Sequence, residues 1–313
     1  MLAAHTSGNA LNGHLVVSEV KDPRLHPSEV LIDVMASSVN PLDWKILKGV
    51  RYLPFTKLVL GHDVAGFIAK VGAKVTDFEV GDEVYCCLPG IIGGANAERV
   101  NVPANMVMMK PSNISMQEAA ATPLAALTAW QALNQTHIKK GDSVLIIGAS
   151  GGVGTFAVQI AKALSAHVTG VCSTKHLGFV RSLGADQVID YTSESIFEQE
   201  DKYDIVFDVI GHESLHSCES IIREGGHYIT TNPSPRSILD IVTHVAAFSP
   251  TAKHASFVSM KANAKDLKRI SALIKVGKVK PIIDKEFALT EIDDAYAYSR
   301  LGHSTGKIVI NMQ

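Results

Sequence analysis

The stretch from Lys139 to Ala163, KKGDSVLIIGASGGVGTFAVQIAKA, constrains this chain more tightly than any other. Ser143–Ile147 is a short apolar, β-branched run entered from a Gly-Asp turn, which reads as a buried strand. Gly148 to Gly154 follows at once, and from Phe156 to Leu164 small and apolar residues recur at helical spacing. Strand, glycine turn and helix in that order give the context of the dinucleotide-binding fingerprint. The variant here is Ala149-x-Gly151-x-x-Gly154, with alanine where the first glycine usually stands. Gly151 lets backbone approach a pyrophosphate, and Gly154 lets the helix pack closely on the sheet. Backbone N–H groups across Ser150, Gly151, Gly152, Val153 and Gly154 then face the phosphate charge, aided by the helix dipole.

The remainder is consistent with a globular chain of about two domains. Hydrophobic residues make up 46% and charged residues 19%, enough apolar material for two cores. A formal net charge of −2, with no long basic run, points away from nucleic acid. Cys86, Cys87, Cys172 and Cys218 show no CxxC or CxH pairing, so neither a disulfide framework nor a structural zinc is expected. The first residues, MLAAHTSGNALNGH, lack the order of a secretory signal, and no apolar run is long enough to span a bilayer. The expectation is a cytoplasmic protein without an integral membrane segment.

Along the chain, Leu15–Met35 alternates with Val30, Ile32 and Val34 on one face, as a half-buried strand does. Gly61–Tyr85 reads as short strands punctuated by glycines, suggesting a small β-barrel-like domain. Pro111 marks its edge. From Ala119 the texture turns helical, and βα alternation runs through His167–Cys172, Gln187–Asp190, Asp204–Ile210 and His227–Thr231, with Phe257–Met260 as a last strand. Such alternation predicts a doubly wound parallel sheet. The tail from Pro281 returns to short strands, and is expected to rejoin the N-terminal domain. The domains are thus read as 1–112, 113–276 and 277–313.

Several separated motifs coincide. GHDVAGFIAKVG followed by FEVGDEVY, then GASGGVG, SLGADQVIDY and YDIVFDVIG, resemble a medium-chain dehydrogenase/reductase of the zinc-independent quinone oxidoreductase branch. NPLDWKILKG at Asn40–Gly49 and STGKIVI at Ser304–Ile310 are similar to plant chloroplast-envelope quinone oxidoreductase homologues and alkenal/one oxidoreductases. The resemblance implies an α/β chain with a GroES-like β-barrel catalytic domain and a doubly wound Rossmann cofactor domain. It also implies NADPH-dependent reduction of quinones or of the C=C bond of α,β-unsaturated carbonyls, and a homodimer joined through a sheet edge.

Zinc-dependent alcohol dehydrogenases of that superfamily carry Cys, His and Cys ligands at three separated positions. Asn40, His62 and Leu124 stand there in this chain. One imidazole with an amide and an aliphatic chain does not make the three- or four-ligand set that Zn²⁺ needs, so no metal is expected. Strand two ends Val171-Cys172-Ser173-Thr174-Lys175, without the carboxylate that would accept a ribose 2′-OH. In the resembling family a serine or glycine, a nearby lysine or arginine, and the tyrosine ending strand three form a 2′-phosphate pocket, and Ser173, Lys175 and Tyr191 match it. Thr128 aligns with a residue that contacts nicotinamide.

Hydride transfer asks the protein for orientation and for stabilisation of negative charge on the acceptor oxygen. Lys45, in the NPLDWK segment expected to face the nicotinamide, is the candidate for that charge. Asn40 is a candidate either to donate to the acceptor carbonyl or to fix the loop, and Tyr52 is a candidate proton donor, with solvent as its alternative. A non-catalytic NADPH-binding protein, using the nucleotide for structure or sensing, is the competing class, because fold does not fix function.

Overall fold

The computed structural model describes residues 1–6, 14–50, 57–198, 201–244 and 252–312. Strands β1 (Leu2–Thr6) and β2 (Leu15–Glu19) form an antiparallel pair, and β3 (Glu29–Val39) starts a larger sheet. Helix α1 (Pro41–Val50) follows directly, its proline at the first helical position, where a missing N–H costs nothing. Strands β4 (Asp63–Val71), β5 (Glu83–Cys87), β6 (Arg99–Pro103) and β7 (Met108–Met109) continue the sheet. β3 pairs with β4 and β6. It is therefore central rather than half-buried: Leu31 is buried along with Val30, Ile32 and Val34. Each such aliphatic side chain removed from water contributes about 1.5–3 kcal/mol.

Helices α2 (Met116–Ala120) and α3 (Pro123–Gln135) lead to the second half. There β8 (Ser143–Ile147), α4 (Gly152–Ala163), β9 (His167–Cys172), α5 (Leu177–Ser182), β10 (Gln187–Asp190), β11 (Tyr203–Asp208), α6 (Leu215–Cys218), β12 (Ile222–Thr230), α7 (Pro235–His244) and β13 (His254–Phe257) follow. The six strands are parallel, in the order β10-β9-β8-β11-β12-β13. That is the doubly wound 3-2-1-4-5-6 order, whose reversal lies between β8 and β11. The fingerprint turn is attached to β8, at this switch point. The last strand sits three residues earlier than expected from Phe257–Met260.

The chain then adds α8 (Ala264–Lys275), β14 (Ile283–Ala288), α9 (Ile292–Arg300) and β15 (Lys307–Asn311). β15 runs antiparallel to β3, giving the first sheet the order β14-β15-β3-β4-β5-β7 with β6 beside β3. Two compact units result: residues 1–127, 261–275 and 281–313, and residues 128–260 with 276–280. The division differs from boundaries at 112 and 276 for visible reasons. In the first unit the Gln117 amide donates to Asn311, Asn113 donates to the Ile274 carbonyl at 2.9 Å, and Tyr85 and Ser271 hydroxyls meet at 2.6 Å. In the second, the Gln159 amide both donates to and accepts from the Lys280 backbone.

Candidate functional site

Of the three positions at issue for zinc, Asn40 and Leu124 meet, in the first unit, on Asp63, and His62 precedes it in the chain. Ser38 Oγ and Asn40 Nδ2 donate to Asp63 Oδ2 at 2.6 and 2.8 Å, and the Leu124 backbone N–H donates to Oδ1 at 2.7 Å. The register explains the meeting: Ser38 on β3 and Cys87 on β5 are the direct cross-strand partners of Asp63 on β4. Lys307, first residue of β15, arrives from the other side of β3. Its ammonium donates to the Val39 carbonyl at 3.0 Å and to Asn40 Oδ1 at 2.5 Å, and stands 3.6 Å from Asp63 Oδ2. Lys307 is 4% exposed and Asp63 fully buried. Burial pushes the ammonium pKa down, while the Asp63 and Asp43 charges oppose that shift; the balance lies below the ordinary lysine value.

Beside this pair, His62 Nδ1 is 2.8 Å from Asp43 Oδ1, and Asp43 Oδ2 accepts the Asn40 N–H at 2.8 Å. The latter bond caps the start of α1. Burial raises the Asp43 carboxyl; burial would lower His62, but the hydrogen bond and charge of Asp43 outweigh it and hold the imidazole above its usual value. His62 Nε2 has no hydrogen-bond partner among the described residues.

The residues present do not fit a zinc ion. Leu124 contributes only a backbone N–H, the Asn40 amide is engaged at both ends, and a buried ammonium sits among them. Among the described residues no group of three His, Cys, Asp or Glu side chains is placed to hold a metal. Of the two roles open to Asn40, this geometry favours fixing the loop: it is 1% exposed, with both ends of its amide turned inward. Lys45 projects from α1 as an exposed side chain, its ammonium 5.8 Å from the centre of the Trp44 ring. Trp44 is anchored through Nε1 to Ser299 Oγ at 3.2 Å. Tyr52 lies outside the described residues.

In the second unit the fingerprint has the expected shape. Gly148 takes a φ of +85°, and Gly151 is the N-cap of α4 without any side-chain capping bond. The first N–H groups of α4, from Gly152, Val153 and Gly154, are therefore available to an anion. The two glycines have different reasons. A Cβ at Gly154 would stand 2.1 Å from the Gly148 carbonyl oxygen, so helix-to-turn packing requires glycine there. At Gly151 it would meet only that oxygen, at 3.5 Å, so the free fold does not need glycine; the space above it suits a pyrophosphate. Ala149 replaces the usual first glycine because Gly170 on β9 leaves it room: a Cβ on Gly170 would come within 3.1 Å of Ala149 Cβ. Ser150 is half-buried in the turn, and Thr128, on α3, is 6% exposed.

Ser173, Lys175 and Tyr191 sit at the carboxyl ends of adjacent strands, since Cys172 pairs with Asp190 in the β9–β10 register. Ser173 is half-buried and caps a short 3₁₀ turn (Thr174–His176) without a side-chain bond, while Lys175 and Tyr191 are exposed. These groups and the open helix start fit a phosphorylated dinucleotide.

Sequence reasoning missed Lys307, Asp63, Asp43 and Ser38 as parts of one network. Lys307 lies inside GKIVI, and a lysine opening a buried apolar strand is itself a signal, because lysine is almost never buried unpaired.

Known families match two parts of the chain. The alcohol dehydrogenase GroES-like domain family matches residues 26–112, and the zinc-binding dehydrogenase family matches residues 183–310. The chain is 36% identical over 312 residues to an NADPH-dependent alkenal/one oxidoreductase, chloroplastic, of Arabidopsis thaliana, covering 96% of this chain and 75% of the relative. It is also 36% identical over 305 residues to a chloroplast envelope quinone oxidoreductase homolog of the same plant, covering 93% and 92%. The quinone oxidoreductase structure from Coxiella burnetii superposes with a TM-score of 0.89 at 28% identity, over 100% of this chain and 99% of that one. No helix among the described residues is long and apolar enough to cross a membrane. With its GroES-like half, its doubly wound nucleotide half and these relatives, the chain belongs to the medium-chain dehydrogenase/reductase superfamily, beside the quinone oxidoreductase homologues and alkenal/one oxidoreductases, and is an oxidoreductase.

Proposed function

We propose that this oxidoreductase is zinc-independent and uses NADPH to reduce quinones or the C=C bond of α,β-unsaturated carbonyls. The observation that carries the reading is the donor set at the three positions: Asp63 and Lys307 hold the Asn40 amide at both ends, and Leu124 offers no ligating side-chain atom, which leaves the His62 imidazole. One imidazole does not make the three- or four-ligand set that Zn²⁺ needs, so electrophilic activation by metal has no place in this reading. Reduction of a quinone or a conjugated C=C does not require it, because the acceptor is already electron-poor. The relatives, an alkenal/one oxidoreductase and a quinone oxidoreductase homolog, support the same acceptor class.

When bound, the reduced nicotinamide supplies the hydride. The chain's own residues would hold and orient the nucleotide: the N–H groups at Gly152–Gly154 would take the pyrophosphate, with Ser150 and Gly151 shaping the approach, and Thr128 would contact the nicotinamide. Ser173, Lys175 and Tyr191 take the 2′-phosphate, where hydrogen bonds to an ionised group are about twice as strong as neutral ones. Lys45 stabilises the negative charge that develops on the acceptor oxygen. Asn40, held by Lys307 and Asp63, keeps the start of α1 in place for it. Tyr52 or solvent delivers the proton.

The test is NADPH oxidation by chelator-treated protein, with 9,10-phenanthrenequinone and with a short alkenone as acceptors and NADH in parallel. Turnover with NADPH that is indifferent to chelation supports the proposal. Activity that needs added Zn²⁺, or turnover of neither acceptor, overturns it.

A further inference from the structure

We propose that Asp190 is a positioning residue for nucleotide selectivity: its carboxylate ties the turn after β9 to the turn after β10 through Thr174 and Thr192, and so holds Ser173, Lys175 and Tyr191 as one surface for a 2′-phosphate. The inference rests on the NADPH reading above and adds to it how the phosphate surface is held.

Asp190 ends β10 and is 7% exposed, yet it faces no basic group among its hydrogen-bond partners. Its Oδ2 accepts the Thr174 hydroxyl at 2.5 Å, and its Oδ1 accepts the Thr192 hydroxyl at 2.7 Å and the Thr192 N–H at 3.0 Å. The two threonine hydroxyls stand 2.9 Å apart. Three contacts thus share two hydroxyl protons, and an ionised carboxylate, which only accepts, draws both of them. Thr174 belongs to the β9 turn between Ser173 and Lys175; Thr192 follows Tyr191 in the β10 turn. The latch therefore grips each turn at a residue bonded directly to the phosphate candidates. Hydrogen bonds from Thr174 first and Thr192 next hold the carboxyl below its ordinary pKa, so it remains ionised and gripping at neutral pH.

A carboxylate at this place has two opposed effects on a 2′-phosphate. Its charge repels the ligand, while its hydrogen bonds organise the turns before binding and spare the ordering cost at the moment of association. The proposal states that organisation outweighs repulsion, and the two effects predict opposite signs for Asp190→Asn. Backbone bonds from Ser193 and Glu194 to the Asp190 carbonyl, and the bond from the Asp190 N–H to Glu194 Oε1, do not involve the Asp190 side chain and keep the β10 turn folded in the variant.

The experiment measures dissociation constants for NADPH and NADH, with 2′,5′-ADP as competitor, in wild type, Asp190→Asn, Thr174→Val and Thr174→Ser. Thr174→Val keeps the β-branched shape and the Asp190 charge but removes the donor, so it reports on the latch without changing the electrostatics. The expected result is a loss of about tenfold in NADPH affinity for Thr174→Val, the scale of one hydrogen bond to a charged group. A smaller loss in the same direction is expected for Asp190→Asn, with NADH within about twofold throughout and Thr174→Ser close to wild type. Unchanged or tighter NADPH binding in Asp190→Asn and Thr174→Val overturns the latch, as does an equal loss for both nucleotides, which marks a merely structural role. Equal wild-type affinity for NADPH and NADH overturns the cofactor reading itself, and the latch with it; that failure is read from the wild-type measurement alone.

Discussion

Lys307→Met removes one charge from a buried ion pair of the first unit while keeping the length of the side chain. Three acceptors depend on that ammonium: the Val39 carbonyl, Asn40 Oδ1 and Asp63 Oδ2. Asp63 retains Ser38, Asn40 and Leu124 as donors but loses its counter-charge, and two oxygens are left without this donor. Breaking a buried pair by deleting one partner costs about 3–5 kcal/mol, far more than an exposed pair, because a buried charge remains uncompensated. For a cooperative unit of this size the loss corresponds to a melting shift of roughly 6–20 °C. The chain contains two tryptophans, Trp44 and Trp130, so a Trp130→Phe background makes Trp44 fluorescence a reporter of the first unit. Adding Asp63→Asn to Lys307→Met removes the stranded charge, so the double variant is expected to be more stable than Lys307→Met alone, with a coupling energy of about 1–3 kcal/mol. A Lys307→Met protein melting within about 2 °C of the parent, or additive single variants, refutes the idea that this ammonium holds the site together.

Three further predictions concern the nucleotide and the chemistry. Gly151→Val abolishes NADPH binding while the protein stays folded, since a Cβ there meets only one oxygen at ordinary contact distance; Gly154→Val damages the fold itself, and thermal melts beside titrations separate the two. Lys175→Ala weakens NADPH by about 10- to 150-fold and leaves NADH almost unchanged, with the effect shrinking in high salt because the ammonium is exposed. Lys45→Met lowers kcat and kcat/KM together by about 10²–10³ with KM little changed, the pattern for a contact made only in the transition state. Near wild-type hydride transfer at saturating NADPH removes Lys45 from the catalytic list.

The nucleotide half was legible in the sequence because each of its signals is local. A strand, a glycine turn and a helix occupy consecutive residues, and the Asp190-Tyr191 and Ser173-Lys175 segments end neighbouring strands of a sheet whose order follows from βα alternation. Even so, the identity of Ala149 made sense only through Gly170, more than twenty residues away and on the next strand. The polar centre of the first unit was not legible, because its parts come from four separate stretches. Ser38 and Asn40, Asp43, His62 and Asp63, Leu124 and Lys307 meet only after β15 is inserted beside β3, and no spacing in the chain reports that pairing. The motif NPLDWK was recognised as a unit, but not that it is helical, nor that Asp43 accepts the Asn40 N–H with one oxygen and meets His62 with the other. Asn40 shows the limit most plainly: its residue type allowed either a substrate donor or a scaffold role, and only its neighbours favour the second.

The measurement that bears most directly on the whole account follows a deuterium label from NADPH carrying deuterium on the transferred position of nicotinamide C4. It uses chelator-treated protein with an alkenone and NMR analysis of the product. The account predicts one deuterium per turnover on the carbon β to the carbonyl, in a saturated ketone, with the same yield before and after metal removal. Deuterium on a carbinol carbon, formed only when Zn²⁺ is restored, would mean carbonyl reduction by a metal site and would contradict both the assigned acceptor and the zinc-independent reading.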